Sequence, residues 1–401
     1  MVSNCGALNT RMRPRLPLAA KRPFGVPWHR RPGRTQLRSI PFWASSSASR
    51  CPSEPRLVLV FCASRDQAHR GETLESESLE ARQASTNEGK KFAGVTGEEE
   101  AMYVITGATG NTGGVVAERL LAEGEKVRVV GRDSERLERF TQNGAESFIA
   151  DATDAGALTK AFAGAKAVYA MIPPNIASPD VRAYEESVSD ALRAAIEEDG
   201  IKYAVVLSSV GADKSHGTGP VAGLHSLEKK LEGTPGLNAL FLRAGYFMEN
   251  LLPQAGVLKS IGSLAGPVKA DLPLPMIATR DIGAFAAEAL SKLDFVGKST
   301  HELQGPRDVT YTEVAKIVGA AIGKADLAYN HVPAAQLKPV LMQMGMSSNM
   351  ADLLLEMADA LNSGHMKMRE LRSPANTTPT TLETFVAEIF LPAYRGKASR
   401  A

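Results

Sequence analysis

The chain has 401 residues, enough for two or three average domains, with 46 Lys and Arg against 44 Asp and Glu. Residues 102–401 hold 30 basic residues, 34 acidic residues and no cysteine. This balance excludes a general basic surface for nucleic acid, and the missing thiols exclude a disulfide scaffold or a cysteine nucleophile there. No stretch of the sequence approaches the roughly 18 apolar residues of a membrane helix, so we predict no membrane partner.

The first 101 residues differ from the rest of the chain. Residues 1–50 contain ten Lys and Arg but no Asp or Glu, as in a transit peptide for a mitochondrion or plastid. Alternatively, the protein begins at Met102, directly before the first predicted strand, and residues 1–101 are a mis-assigned extension. We prefer the second interpretation, which predicts a cytoplasmic protein. Under both interpretations we expect residues 1–101 to be disordered and to take no part in the chemistry.

From residue 102 onwards the predicted elements alternate between strand and helix. Short apolar runs with little alternation suit strands that are buried on both faces of a parallel sheet. The helical patterns between the strands imply right-handed crossovers. The sequence therefore predicts an α/β fold, in which residues 102–250 form a Rossmann-type doubly wound parallel sheet that binds a dinucleotide. The predicted strands lie at 102–106, 126–130, 145–150, 166–172, 202–208 and 239–243.

The pattern changes after residue 250. A proline-rich loop at 267–275 is followed by helical patterns, and these predict a smaller helix-rich C-terminal substrate lobe over residues 251–401, packed on the first domain. Seven methionines in this part of the chain could form ordinary core, which we prefer, or an adaptable lid over a pocket. The predicted helices lie at 279–290, 312–322, 334–344 and 348–361, with a further capped helix start at 377–385.

A glycine-rich turn follows the first predicted strand. Gly107 permits a tight turn, Gly110 lets the backbone approach a pyrophosphate, and Gly113 lets the following helix pack close to the strand. The free N–H groups and the positive end of the helix dipole would then hold the phosphates. Three neighbouring side chains add donors that suit phosphate oxygens, namely those of Thr109, Asn111 and Thr112.

The end of the second predicted strand bears on the choice of cofactor. An acid usually stands there when the cofactor has a free ribose hydroxyl, but this sequence has Gly131 and then Arg132. A guanidinium suits a 2′-phosphate, so we prefer NADP(H), with NAD(H) as the alternative. Asp154 is expected to cap the next helix. Asp151 either has a structural capping role of this kind or accepts a hydrogen bond from the adenine amino group.

One expected catalytic pattern is absent. The GxxGxxG spacing is typical of the short-chain dehydrogenase/reductase superfamily, whose members use Tyr-x-x-x-Lys, but no tyrosine here has a lysine four residues later. The corresponding helix carries His225 and Lys229, which share a face. His225 could relay a proton and Lys229 could contact the ribose, or both could be surface residues. Ser208 ends the fifth strand and could bond cofactor or substrate, or could merely cap the strand. We predict no metal site.

Several separated motifs resemble one family. The glycine turn, the Ser208-Ser209 strand end, the Leu242–Leu251 segment, Ala278–Ile282 and Leu303–Pro306 resemble the NmrA-like family of atypical short-chain dehydrogenases, with the quinone oxidoreductase type 2 group most similar. This resemblance spans residues 102–395.

The resemblance implies particular roles for residues in the cleft. Met171 and Pro173 would line the nicotinamide side of the cofactor. Independently of the resemblance, Tyr246, Phe247 and Asn250 follow the sixth strand and should face the cleft. Aromatic faces there would suit a flat acceptor, although Phe247 could be core.

We therefore predict an NADPH-dependent oxidoreductase that passes hydride to a quinone-like or other small electrophilic acceptor. The alternative is a non-catalytic NADP(H)-binding redox sensor, since some relatives bind the dinucleotide without turnover. The small-molecule acceptor is the expected partner, and the sequence also allows a homodimer.

Overall fold

The structure is a computed structural model that describes residues 102–396. The predicted extension over residues 1–101, which contains all three cysteines, lies outside the described residues. No helix within residues 102–396 is long and apolar enough to cross a membrane.

The first half of the described chain follows the predicted alternation of strand and helix. Acidic caps fix the starts of three of its helices: Asp133, Asp154 and Asp180 each accept a hydrogen bond from a backbone N–H in the first helical turn. In chain order the elements are β1 (Met102–Thr106), α1 (Asn111–Ala122), β2 (Lys126–Gly131), α2 (Ser134–Thr141), β3 (Glu146–Ile149), α3 (Ala155–Phe162), β4 (Ala165–Ala170), α4 (Val181–Glu198), β5 (Tyr203–Ser209), α5 (Val221–Glu232) and β6 (Asn238–Ala244).

The second half contains shorter strands and more helix. A 3₁₀ turn at Met248–Leu251 follows its first strand, and a π-helical turn at Val386–Phe390 joins its last two helices. In chain order the elements are β7 (Tyr246–Phe247), α6 (Gln254–Ile261), β8 (Leu264–Gly266), β9 (Met276–Ile277), α7 (Thr279–Lys292), β10 (Lys298–Leu303), α8 (Tyr311–Ile322), β11 (Tyr329–His331), α9 (Ala334–Gln343), α10 (Ser348–Ser363), α11 (Leu382–Phe385) and α12 (Leu391–Tyr394).

The main sheet has seven parallel strands in the order β10-β6-β5-β4-β1-β2-β3. This order confirms the predicted Rossmann-type doubly wound fold. The strand order reverses between β1 and β4, and ligands of such sheets bind in the crevice beyond the carboxyl ends of the strands at this point. One apolar cluster fills the face of the sheet that α1 and α7 cover, and a second fills the face that α3, α4 and α5 cover.

Strand β10 was not predicted. Its sequence, Lys-Ser-Thr-His-Glu-Leu, contains one apolar residue, and its first four residues are partly or fully exposed at the edge of the sheet. An edge strand needs fewer apolar residues than a central one, so a search for apolar runs passes over it. The chain thus returns to the main sheet after residue 250, and α7 packs against α1 on the way. The other short strands join in two pairs, β7 with β9 and β8 with β11.

Candidate functional site

The glycine turn between β1 and α1 is built from backbone contacts. Gly107 has a φ of +63°, a conformation that favours glycine, and its carbonyl accepts a hydrogen bond from the Gly110 N–H at 2.9 Å. A Cβ on Gly113 would lie 2.5 Å from the Gly107 oxygen and 2.8 Å from its carbonyl carbon. Gly113 therefore cannot carry a side chain without moving the backbone of the turn.

The first turn of α1 is open to an anion. Gly110 caps the helix without a side-chain hydrogen bond, and the first turn contains no acidic residue. The N–H groups at this end therefore keep free hydrogen-bonding capacity beside the positive end of the helix dipole. A phosphate fits such a site through charge and through backbone hydrogen bonds together. The glycine turn and this helix start thus have the form of a pyrophosphate cradle.

The structure changes the expectation for one side chain at this turn. The Thr112 side chain is buried, and its hydroxyl oxygen accepts a hydrogen bond from Tyr169 at 2.9 Å. The expectation that the Thr112 hydroxyl faces a phosphate is therefore wrong, because this position of α1 faces the sheet. The Thr112 backbone N–H still belongs to the open first turn. Asn111 is exposed, and the carbonyl of Thr109 accepts a hydrogen bond from Arg136 at 2.8 Å.

Two arginines stand next to the glycine turn. The Arg132 side chain is 66% exposed, and its guanidinium lies 4.0 Å from the Asp151 carboxylate, a loose pair across the ends of β2 and β3. Although partial burial opposes ionisation of Asp151, hydrogen bonds from Thr153 and the Arg132 charge lower its pKa. Arg136, on α2, contacts the turn directly, because its guanidinium donates to the Thr109 carbonyl. Sequence analysis missed Arg136, which stands in the first turn of α2, four residues after the loop residue Arg132.

Met171 connects the turn to a large cavity. A Cβ on Gly107 would lie 2.2 Å from the Met171 sulfur, so the two residues are in close contact. The Met171 N–H donates to the Thr106 hydroxyl at 3.2 Å, and this hydroxyl donates to the Tyr169 carbonyl at 3.1 Å. Thr106 thus locks the end of β1 to the end of β4. Met171 also lines the cavity, so the cradle and the cavity adjoin at this side chain.

The cavity has a volume of about 640 Å³ and lies beyond the carboxyl ends of β4, β5 and β6. Its wall is mainly apolar, and it contains four methionines that sequence analysis assigned preferentially to core: Met350, Met357, Met366 and Met368. Unbranched thioether side chains of this kind adapt to ligands of different shape. Of the residues predicted for cofactor or substrate, the cavity brings together Met171, Pro173, Ser208, Tyr246, Phe247 and Asn250.

Ser208 is held by a buried ion pair. Its hydroxyl donates to one oxygen of the Glu228 carboxylate at 2.5 Å, and Arg243 binds both oxygens of that carboxylate, at 3.0 and 2.5 Å. Glu228 is 1% exposed, so the pair is shielded from water. Burial opposes the charge on Arg243, but Glu228 more than offsets this and raises the pKa of the guanidinium. The Ser208 hydroxyl is therefore fixed at the cavity wall, and its oxygen can still accept a hydrogen bond.

The predicted catalytic pair on α5 lies elsewhere. His225 is not among the residues that line the cavity, and its Nδ1 lies 2.8 Å from the Ala212 carbonyl oxygen, to which it donates. Lys229 is also absent from the cavity wall: its side chain is 58% exposed and its Nζ binds Glu232 at 2.6 Å. The four-residue spacing does put both on one helix, but the face of α5 that meets the cavity carries Val221 and Leu224 instead.

Tyr246 in the cavity wall contacts a group of tyrosines that do not themselves line the cavity. Tyr246 Oη lies 2.9 Å from Tyr311 Oη, and the Tyr311 ring stacks on Tyr329 with centroids 4.3 Å apart. Burial raises the pKa of Tyr246, while hydrogen bonds from Tyr311 and Asn250 act in the opposite direction. The phenols therefore stay protonated at neutral pH, and Tyr246 is the one of the three that presents its aromatic side chain to the cavity.

A buried carboxyl group also lines the cavity. Glu185 on α4 is 7% exposed, and burial raises its pKa to about 7, with the Arg182 charge opposing. Arg182 Nη1 lies 3.2 Å from its carboxylate. Sequence analysis missed Glu185. The signal that could have found it is its place in the stripe Val181, Glu185, Val188 and Leu192, where an acid interrupts the buried face of a helix.

An irregular segment of residues 364–372, here called the strap, closes one side of the cavity. One oxygen of the buried Glu302 carboxylate accepts the N–H groups of Arg369 at 2.7 Å and Glu370 at 2.8 Å. Arg372 donates to the Gly305 carbonyl and to Asp308. These contacts join the strap to the end of β10 and to the loop that follows it. No pattern in the sequence indicates the strap, because its anchors lie more than sixty residues away.

Comparison with known proteins gives the same fold and names the family. Residues 99–386 match the model of the NmrA-like family. The chain is 26% identical to the quinone oxidoreductase 2 of Escherichia coli over 297 residues, which cover 72% of this chain and 99% of that protein. It is also 26% identical to the NAD(P)H azoreductase of Xenophilus azovorans over 257 residues, which cover 64% of this chain and 86% of that protein.

Solved structures share the architecture. The NADPH complex of the E. coli quinone oxidoreductase has a TM-score of 0.59 at 24% identity and covers 72% of this chain and 99% of its own. The NADP(H) complex of a Citrobacter triphenylmethane reductase has a TM-score of 0.59 at 22% identity and covers 71% of this chain and 98% of its own. The chain belongs to the NmrA-like family of atypical short-chain dehydrogenases/reductases.

Proposed function

We propose that this NmrA-like protein is an NADPH-dependent oxidoreductase that passes hydride to a quinone-like or other small electrophilic acceptor. One observation carries the proposal: the pyrophosphate cradle and the apolar cavity adjoin at Met171, which contacts Gly107 on one side and lines the cavity on the other. An extended dinucleotide held at the cradle therefore has a cavity within reach for its reactive end.

The residues around the cradle fit a phosphorylated dinucleotide. Gly107, Gly110 and Gly113 leave the space that a Cβ would fill, and the first turn of α1 supplies N–H groups for the pyrophosphate. Arg132 is exposed and only loosely paired, so its guanidinium is available for a 2′-phosphate. Arg136, which already reaches the turn, adds a second positive charge on this side. We infer from these charges a preference for NADPH over NADH.

The cavity fits a flat apolar acceptor. Tyr246 and Phe247 supply aromatic surface, and the methionines supply a wall that can follow an irregular outline. The names of two relatives, an azoreductase and a quinone oxidoreductase, agree with acceptors that contain conjugated rings. The first chemical step needs no protein nucleophile, since the reduced nicotinamide supplies a hydride when it is bound.

The protein's own groups orient the reactants and exclude water. The Ser208 oxygen, fixed by Glu228, can accept a hydrogen bond from an amide or hydroxyl donor at the cavity wall. Asn250 offers an amide donor that can stabilise negative charge developing on an acceptor oxygen. The strap covers one side of the cavity and limits the entry of solvent.

Loss of NADPH absorbance with a panel of soluble quinones and an azo dye tests the proposal. We expect turnover with at least one acceptor and a lower Kd for NADPH than for NADH in a direct titration. NADPH binding without turnover with any acceptor would instead support a non-catalytic redox sensor. Failure to bind either dinucleotide would contradict both interpretations.

A further inference from the structure

We propose that Glu185 is the proton donor to the reduced acceptor, a role that rests on the proposed function and that sequence analysis considered for His225. The reason is position. His225 donates its Nδ1 proton to the Ala212 carbonyl and is not part of the cavity wall, whereas Glu185 is part of it.

The backbone around Glu185 provides the space for its carboxyl group. A Cβ on Gly223, in the first turn of α5, would lie 2.2 Å from Glu185 Oε2 and 2.6 Å from its carboxyl carbon. A larger residue at this point of α5 would displace the carboxyl group, so Gly223 lets α4 and α5 enclose it. The residues near Gly223 in sequence that line the cavity are apolar, namely Pro220, Val221 and Leu224. An acid in such apolar surroundings keeps its proton more readily than one in water.

The other ionisable groups of the cavity wall are less suited to this role. Tyr184 and Tyr246 hold their protons too tightly to donate efficiently near neutral pH, since burial raises the pKa of Tyr184 to about 12 and raises that of Tyr246 as well. The remaining four groups lie at the rim or in the strap, where they are exposed or paired: Asp308, Lys367, Glu370 and Arg372. Among the residues that line this cavity, Glu185 is thus the buried acid.

The charges that face Glu185 come mainly from its own helix. Arg182 contacts the carboxylate at 3.2 Å, and its other terminal nitrogen donates to the Gly219 carbonyl, which holds the guanidinium in place. Glu186 contributes a repulsive charge, although Lys230 of α5 binds it at 2.6 Å. The part of α5 that touches Glu185 is the uncharged Gly223. Burial is therefore the largest influence on the proton affinity of Glu185, and Arg182 is the main opposing one.

A quinone acceptor that has gained a hydride from NADPH is a hydroquinone anion with its negative charge on a ring oxygen. The O–H bond of Glu185 breaks and a new O–H bond forms on that oxygen, which gives the neutral hydroquinone. The Glu185 carboxylate then takes a proton from water that enters when the product leaves. Each turnover oxidises one NADPH, reduces one quinone and consumes one solvent proton.

The pH dependence of kcat tests this role with the full-length protein, NADPH and a soluble benzoquinone. The donor must be protonated, so wild-type kcat should be high below the Glu185 pKa of about 7 and should fall as pH rises through it. Glu185→Gln should lower kcat by about 10²-fold at pH 6, the low end for a positioned acid, and should remove the inflection. Arg182→Met should shift the inflection to higher pH, because the Arg182 charge lowers the Glu185 pKa.

Glu186→Gln is the matched control, because Glu186 is the adjacent acid on the same helix and does not line the cavity. It should keep the wild-type kcat on the acid side of the inflection and should keep the inflection itself, moved towards lower pH because the Glu186 charge raises the Glu185 pKa. Infrared spectra give a readout without turnover: at pH 6 the wild type and Glu186→Gln should show a buried protonated carboxyl band that Glu185→Gln lacks.

Two results would overturn the proposal, and they differ in whether they also contradict the oxidoreductase function. If the wild type turns over and Glu185→Gln keeps its kcat and inflection, only the proton donor is wrong. If the wild type binds NADPH but reduces no acceptor, the oxidoreductase function is wrong as well.

Discussion

The pyrophosphate cradle and the acceptor cavity are adjacent but are built in different ways. The cradle comes from one continuous stretch, residues 103–114, and its critical contacts are between backbone atoms. The cavity is assembled from segments spread between residues 171 and 372, and its wall is made mostly of side chains. Two sites in contact through Met171 therefore depend on the sequence in different ways.

This difference has a physical reason. A pyrophosphate is the same in every dinucleotide, and backbone N–H groups bind it only when the chain comes close, which leaves no room for a Cβ. An acceptor pocket needs apolar surface of a suitable size, and several side chains can supply it. We therefore expect the cradle to be intolerant of small changes and the cavity wall to be tolerant.

The largest expected effect is that of Gly113→Ala. The added methyl group would lie 2.5 Å from the Gly107 carbonyl oxygen, so the turn must move. Overpacking of this kind costs about 1–3 kcal/mol, and we expect an increase of about tenfold or more in the Kd for NADPH. Isothermal titration and urea unfolding measure the two quantities.

Gly156→Ala in α3 is the control for Gly113→Ala, because the nearest atom to its added Cβ is 3.6 Å away. It should leave the Kd unchanged and stabilise the helix by up to about 1 kcal/mol. An equal loss of binding in both variants would contradict the special role of the turn.

Arg132→Ala should have a more selective effect, limited to the phosphorylated cofactor. Loss of charge-assisted hydrogen bonds to a 2′-phosphate should weaken NADPH binding by about 1.5–3 kcal/mol, or roughly tenfold to a hundredfold, and leave NADH binding unchanged. Parallel titrations with the two cofactors measure this. Arg193→Ala, which removes another exposed and paired arginine, should change neither affinity. If the NADPH preference survives in Arg132→Ala, the assignment of this residue is wrong.

The smallest expected effect is that of Met357→Leu in the cavity wall. The exchange conserves volume, so the free energy of unfolding should change by less than about 1.5 kcal/mol, with an unchanged Kd for NADPH. The KM for the acceptor should change severalfold, in a direction that depends on the acceptor's shape. Steady-state kinetics with quinones of different size measure this. If Met357→Leu abolished activity while Gly113→Ala kept the wild-type Kd for NADPH, the cavity wall would be the intolerant site and the cradle the tolerant one.

The sequence by itself determined six of the seven strands of the main sheet, the glycine turn of the cradle and the family. Five of the six strands from β1 to β6 are short, mainly apolar runs, and the edge strand β3 lies between two helical patterns; the glycine turn lies within one stretch, so local spacing was sufficient. Strand β10 was missed because it is polar at the edge of the sheet, where burial requires few apolar residues.

Only the tertiary structure decided which side chains share the cavity. Helical spacing placed His225 and Lys229 on one helix, but spacing does not tell which face of α5 meets the cavity, and the structure gives that place to Val221 and Leu224. Glu185 enters the cavity because Gly223, thirty-eight residues later, leaves room for its carboxyl group. Such contacts depend on how helices pack across long separations, whereas the cradle depends on the local path of one short piece of backbone.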